Sequence, residues 1–131
     1  MSVAKRRMAM SRQEFRQLVA QAIASLPPLV MDRLTNVEVV VKDRPTHEEL
    51  AAAGTDPTET LFGLYAGIPL TERSNSYGMV LPDKITLYQQ SIEEDCRTKR
   101  EIQEQIRTTL LHEIGHHFGL SEDELEKAGY K

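Results

Sequence analysis

The chain of 131 residues is long enough for one folded domain with one core, and its 40% hydrophobic and 27% charged residues are ordinary for such a domain. A net charge of −4, with three Phe, four Tyr and no Trp, disfavours a basic or aromatic surface for nucleic acids. We expect residues 1–10 to form a flexible N-terminal tail and residues 11–131 to form a single domain.

The sequence predicts no membrane partner and a cytoplasmic location. No apolar stretch approaches the length of a membrane span. The basic residues Lys5–Arg7 resemble the start of a signal peptide, but the polar segment Ser11–Glu14 stands where the apolar run should follow. The single cysteine, Cys96, excludes an internal disulfide and is compatible with a reducing compartment.

The first predicted helix begins after Ser11. Ser11 followed three residues later by Glu14 is typical of a helix N-cap with a capping box. Pro27 and Pro28 end the helical pattern. The apolar residues between them recur at helical spacing, which predicts an amphipathic helix against a sheet. They are Phe15, Leu18, Val19, Ala22, Ile23 and Leu26.

Three segments read as strands. They are the β-branched run Val37–Val41, the glycine-containing run Leu61–Ile68 and the run Lys84–Gln89. Between the first two, Thr46–Ala53 predicts a short capped helix. The alternation of the third run predicts one outward-facing set of side chains. That set is Lys84, Thr86 and Tyr88.

A helix from about Thr98 to about His117 carries the chemistry. It contains the motif H-E-x-x-H, with His112 and His116 about 40° apart around the axis at 3.6 residues per turn. Both imidazoles can reach one metal ion, for which Zn²⁺ is the expected choice. Glu113 is rotated about 100° from His112 and is the expected general base for a metal-bound water. Solvated histidines without a metal remain the alternative.

The motif and its surroundings resemble the small bacterial zincin-like metallopeptidases, the minimal zincins. The run from His112 reads H-E-I-G-H-H-F-G-L-S-E-D-E-L. The likeness covers most of the chain after about residue 55. Its upstream parts are Leu61–Tyr65, Pro69–Ser74, Leu81–Ile85 and Glu93–Cys96.

The resemblance implies a site for one zinc ion with a third protein ligand. Gly119 is expected to end the helix in the left-handed conformation and to reverse the chain. The third ligand would then be Glu122 or its neighbour Asp123. The family usually has aspartate at this position, whereas this chain has Glu122, so the choice between the two acids stays open.

The resemblance also implies a substrate-binding strand at an edge of the sheet. Zincins hold an extended substrate by strand addition, and the candidate segment is Ile85–Gln89, with Ile85, Leu87 and Gln89 as substrate-binding residues. A plain structural strand is the alternative. Thr109 and His117 are expected next to the ligands rather than among them.

We therefore expect an α+β, zincin-like fold in which a small mixed sheet of three to four strands packs on the N-terminal helix and the C-terminal H-E-x-x-H helix. The expected function is zinc-dependent hydrolysis of a peptide or protein substrate, with Glu113 as general base. The alternative is a catalytically silent binding or adaptor module that needs a partner chain to complete its cleft. Hydrolysis of a non-peptide substrate fits the metal site but lacks nearby basic residues.

Overall fold

The computed structural model describes residues 9–54, 60–67 and 82–119, together with residues 121, 123 and 126. Helices and strands combine as α+β, as the sequence predicts, and both the N-terminal helix and the motif helix are present. In chain order the elements are α1 (Arg12–Ala24), α2 (Pro28–Arg33), β1 (Val37–Lys42), α3 (His47–Ala52), β2 (Gly63–Ala66), β3 (Asp83–Tyr88), α4 (Gln89–Glu94) and α5 (Lys99–Phe118).

Within the described residues, the sheet is mixed and has three strands in the order β1-β3-β2. β1 runs parallel to β3, with Val37 opposite Asp83. β2 runs antiparallel to β3, with Gly63 opposite Leu87. β3 is therefore the central strand, and the expectation that Ile85–Gln89 is an edge strand is wrong. Sheet order depends on contacts between distant segments, which the alternation within one strand does not encode.

Both faces of β3 are buried. Ile85 and Leu87 have no exposed area, as expected for the core face, but Thr86 is only 4% exposed and Tyr88 is fully buried. The prediction that Thr86 and Tyr88 point to solvent is wrong, because a central strand with both faces covered loses its exposed side.

Helix α4 occupies a segment for which the sequence predicts something else. Gln89, the expected last residue of the third strand, is the first residue of this helix. The acidic segment Ile92–Cys96 forms the end of α4 and the turn after it. Six residues are too few for a helical period to stand out in a sequence.

Local capping chemistry sets the starts of the two long helices. The Ser11 hydroxyl accepts the backbone N–H of Glu14 at 3.0 Å, and the Thr98 hydroxyl accepts that of Glu101 at 3.1 Å. Pro27 and Pro28 end α1 as predicted, but Pro28 also begins α2. Proline is well suited to that position, because an N–H in the first turn has no acceptor within the helix and its absence breaks no hydrogen bond.

One core lies between the helices and the sheet. α1 and α5 pack against each other, and α5 also contacts β2 and β3. The apolar side chains of this core are less than a tenth exposed. They are Phe15, Val19, Ala22, Leu26, Val30, Ile85, Leu87, Ile92, Cys96, Ile102, Ile106, Leu110, Leu111 and Ile114.

A buried polar contact fixes the chain just before α1. The backbone N–H of Met10 donates to Glu93 Oε2 at 3.1 Å, and the Met10 carbonyl accepts from Gln89 Nε2 at 3.0 Å. Gln89 also donates to Glu93 at 2.9 Å. Met10, the last residue of the predicted tail, is thus held by the fold, whereas residues 1–8 lie outside the described residues.

Candidate metal centre

Helix α5 has one face buried against the core and another face open to solvent. Ile102, Ile106 and Leu110 have no exposed area, and they direct the helix against the core. His112 and His116 lie beside this face and are exposed. Gly119 ends the helix with φ 65° and ψ 33°, the left-handed conformation that its lack of a Cβ permits. The predicted helix and its predicted glycine stop are both present.

The two histidines of the motif stand side by side. Their ring centroids are 4.2 Å apart, with an angle of 42° between the ring planes. Two exposed imidazoles this close can each turn a nitrogen toward a common ion, and imidazole nitrogen is a preferred zinc donor. His112 and His116 can therefore supply two of the ligands of one zinc ion.

The third ligand is not defined by the described part of the chain. Among those residues, no three His, Cys, Asp or Glu side chains come together as a metal-binding group. Glu122 lies outside the described residues, and Asp123 is described and exposed.

The carboxylate of Glu113 reaches the sheet. Its Oε1 accepts the backbone N–H of Tyr65 on β2 at 2.9 Å. Tyr88 donates its N–H to the Phe62 carbonyl, so the alternation of an antiparallel ladder turns the peptide groups of Tyr65 away from β3. Glu113, the residue after His112, therefore accepts a hydrogen bond from an outward-facing N–H on the outer edge of β2.

Close packing between β2 and α5 makes this contact possible. A Cβ added at Gly63 would lie 2.6 Å from Thr109 Cγ2 and 3.1 Å from the carbonyl oxygen of Thr86. No side chain fits at the first distance, so glycine lets the strand approach the helix. Thr109 is 7% exposed and its hydroxyl accepts from Gln105 Nε2 at 3.2 Å. Thr109 thus sets the spacing between the motif helix and the strand.

A second contact joins β2 to the end of the motif helix. The Tyr65 ring stacks on His117, with centroids 3.8 Å apart and planes 15° apart. The Tyr65 hydroxyl donates to Asp83 Oδ2 at 2.7 Å, and His117 Nε2 lies 3.7 Å from the same oxygen. His117 is thus held against the strand rather than in the apolar core. Its neighbours are an aromatic ring and the buried carboxylate of Asp83.

A groove of about 290 Å³ opens beside the motif. One wall is the segment Thr60–Gly63, and the other is the face of α5 that carries His112 and Glu113. The rest of the helical wall is uncharged and polar. It consists of Gln105, Thr108 and Thr109. The groove therefore leads from solvent to two residues of the motif.

The predicted substrate-binding residues lie elsewhere. Ile85 and Leu87 have no exposed area, and Gln89 is 5% exposed. The peptide groups of β3 bond to strands on both sides, so this strand cannot accept an added one. Of the sheet's three strands, β2 is the edge strand beside the motif. Tyr65 and Asp83 carry no special signal in the sequence, because their roles arise only when distant segments meet.

A family comparison agrees with this geometry. The family model of the zincin-like metallopeptidases matches residues 34–130, about three quarters of the chain. The chain belongs to this family. It therefore has a metallopeptidase type of fold, and zinc binding is general in zincins.

A solved structure of similar fold comes from a conserved hypothetical protein of T. thermophilus. It is 22% identical in sequence, has a TM-score of 0.52, and the match covers 83% of this chain and 94% of the other. No curated protein matches the chain significantly. Among the described helices, none combines the length and apolarity needed to cross a membrane.

Proposed function

We propose that this zincin-like domain is a zinc-dependent peptidase. One observation carries the proposal: two exposed imidazoles lie 4.2 Å apart, and one of them, His112, lines an open groove together with Glu113. His112 and His116 would hold the ion, with Glu122 or Asp123 as the third ligand. Zinc so held would lower the pKa of a bound water to about 7 and polarise the substrate carbonyl.

Glu113 would move the proton. In the substrate-free protein its Oε1 accepts the Tyr65 N–H. After release from Tyr65, the carboxylate would take the proton of the attacking water and pass it to the leaving amine.

The substrate would bind along β2. The peptide groups of Tyr65 point away from the sheet, so an extended peptide can add to this edge as a further strand. It would replace Glu113 at the Tyr65 N–H, and this releases the carboxylate toward the scissile bond. A side chain of the peptide would enter the groove between Thr60–Gly63 and α5. The described groove walls bear no lysine or arginine, which favours uncharged side chains.

We further propose that the protein acts in the cytoplasm. Its one cysteine, Cys96, is a free thiol, and burial raises the pKa of that thiol to about 11. A buried protonated thiol behaves as a small apolar side chain, so it supports no disulfide-based role.

The decisive experiment compares the zinc-loaded protein with a Glu113→Gln variant on unfolded peptides. Glutamine keeps an oxygen for the Tyr65 N–H but accepts no proton, so activity should fall by roughly 10²–10⁴-fold with zinc content unchanged. Glu104→Gln, the same change at an exposed position on the same helix, should leave activity intact. Equal activity of the wild-type protein and Glu113→Gln would refute this mechanism.

A non-catalytic adaptor remains the second candidate, and the contact between Glu113 and Tyr65 favours it. This hydrogen bond closes the β2 edge against an added strand as long as it persists. An adaptor would bind zinc, lose it on His112→Ala, and hydrolyse no peptide unless a partner chain completes the cleft. Measuring zinc content and activity with and without cell extract separates the two candidates.

A further inference from the structure

The far edge of the sheet, on β1, carries an apolar surface of its own. Within the described sheet, β1 bonds to β3 only. Asp83 donates its N–H to the Asn36 carbonyl, so even-numbered residues of this strand turn their peptide groups toward β3. Val39 and Val41 turn theirs outward. Among the strands that the structure describes, none pairs with these outward groups.

A groove of about 330 Å³ runs along this edge between β1 and α1. Its lining is aliphatic apart from one arginine stem. The lining residues are Arg16, Val19, Ala20, Ile23, Val39, Val40 and Val41. All four valines of β1 are only half-buried. A strand added here would cover apolar area in addition to satisfying the outward peptide groups.

The charges on β1 identify the added strand. Glu38 and Lys42 lie on the same face of the strand, two residues before and two residues after Val40. Both are exposed. Single charges on an edge strand ordinarily discourage pairing. Here the opposite charges are symmetric about Val40, so the strand is complementary to an antiparallel copy of itself.

We propose that a second copy of this chain pairs with β1 across a two-fold axis through Val40. In this register Val39 of each copy lies opposite Val41 of the other. Each of these two pairs is hydrogen-bonded through the outward peptide groups. Glu38 of each copy stands opposite Lys42 of the other, at about 4.5 Å between Cα atoms. The described strands of the two sheets then form one continuous sheet of six.

Alternative registers are less favourable. Moving the two-fold axis from Val40 to Glu38 places Glu38 opposite Glu38, and like charges directly opposite each other destabilise a sheet. Lys42 already bonds to Glu49 at 3.3 Å, but its side chain is 48% exposed and can contact a second carboxylate. The interface lies at the opposite edge of the sheet from β2, so it leaves the histidine pair accessible.

A charge swap tests both the partner and the register. Glu38→Lys alone and Lys42→Glu alone each place like charges in both cross-strand positions, so each homodimer should dissociate roughly tenfold more readily or worse. When the two variants are mixed, every cross-strand pair is again of opposite sign. Native mass spectrometry should then show a heterodimer that neither variant forms with itself.

The controls separate pairing from folding. Glu48→Lys, the same charge change on α3, should dimerise like the wild-type protein, and circular dichroism should confirm that each variant folds. Val40→Lys places two ammonium groups at the axis and should give a folded monomer. A wild-type protein that stays monomeric to several hundred micromolar, or a mixture without heterodimer, would overturn the proposal.

Discussion

The two edges of the sheet differ in what faces their outward peptide groups. At β2 a glycine brings the strand onto the motif helix, and Glu113 accepts an outward N–H. At β1 the residues are bulky valines with one acid and one base, and α1 leaves a groove beside them. In our two proposals, the edge that is packed against the helix serves chemistry and the edge that is left open serves association. The following substitutions test this contrast.

Gly63→Ala should have the largest effect. The new Cβ meets Thr109 Cγ2 at 2.6 Å and the Thr86 carbonyl at 3.1 Å, so β2 must move away from the helix. We expect the free energy of unfolding to fall by about 1–3 kcal/mol, measured by urea denaturation. Thr109→Ser, which removes the methyl group, should restore part of the loss.

Gly67→Ala is the matched control for that change. Its Cβ would lie 3.4 Å from His117 Cε1, an ordinary contact. We expect a clearly smaller loss than at Gly63. Equal losses at the two glycines would mean that backbone freedom, rather than the approach to Thr109, explains the effect.

Tyr65→Phe should have the next largest effect. It keeps the ring on His117 but removes the donor to Asp83, a carboxylate only 5% exposed. A loss of about 1–2 kcal/mol is expected for one hydrogen bond removed from a buried carboxylate, measured by thermal denaturation. This substitution leaves the backbone N–H for Glu113.

Tyr88→Phe is its counterpart on the central strand. The Tyr88 hydroxyl is buried, and its pKa is raised by burial and by the nearby Glu49 carboxylate. The hydroxyl finds no hydrogen bond of acceptable geometry among the described residues. Its removal should change stability by less than about 0.5 kcal/mol or increase it. A loss as large as that of Tyr65→Phe would mean that the Tyr88 hydroxyl does form a stabilising hydrogen bond.

Val40→Thr tests the tolerance of the β1 edge. Val40 is half-exposed and threonine is also a good strand former, so we expect a change below about 1 kcal/mol. Ile85→Val, a milder change in the buried central strand, should cost about 0.5–1.5 kcal/mol. A larger loss for Val40→Thr than for Ile85→Val would mean that β1 is covered more fully than its exposure indicates.

The smallest effect concerns α1, the helix that flanks the β1 groove. A hydrogen bond from Lys99 at 3.2 Å, with that residue's charge, lowers the pKa of Glu14. A lowered folded-state pKa stabilises the protein above the unfolded value of about 4.3, and this contribution disappears as the pH falls through the folded value. Lys99→Met should raise the Glu14 pKa in an NMR titration, whereas Arg100→Met should not.

Local chemistry explains which features the sequence could predict. The caps at Ser11, Thr46 and Thr98 and the glycine stop at Gly119 depend on residues within one helical turn. The spacing of His112 and His116 likewise follows from helix geometry alone. These features could be read directly from residue order.

Contacts between distant segments explain the rest. The central position of β3 reverses the expected edge, and the contact of Glu113 with Tyr65 joins residues 48 positions apart. No local pattern reports such distances. The third zinc ligand stays a prediction, since Glu122 lies outside the described residues.

The buried carboxylate of Glu93 also bears on proteolytic trimming of the chain. After removal of residues 1–9, the backbone nitrogen of Met10 would become a positively charged terminal amine. It could still donate to the Glu93 carboxylate, which now accepts its N–H. Removal of Met10 as well would take away one donor to a carboxylate that is 2% exposed and the acceptor for Gln89. Loss of a single residue should therefore matter more than loss of the nine before it.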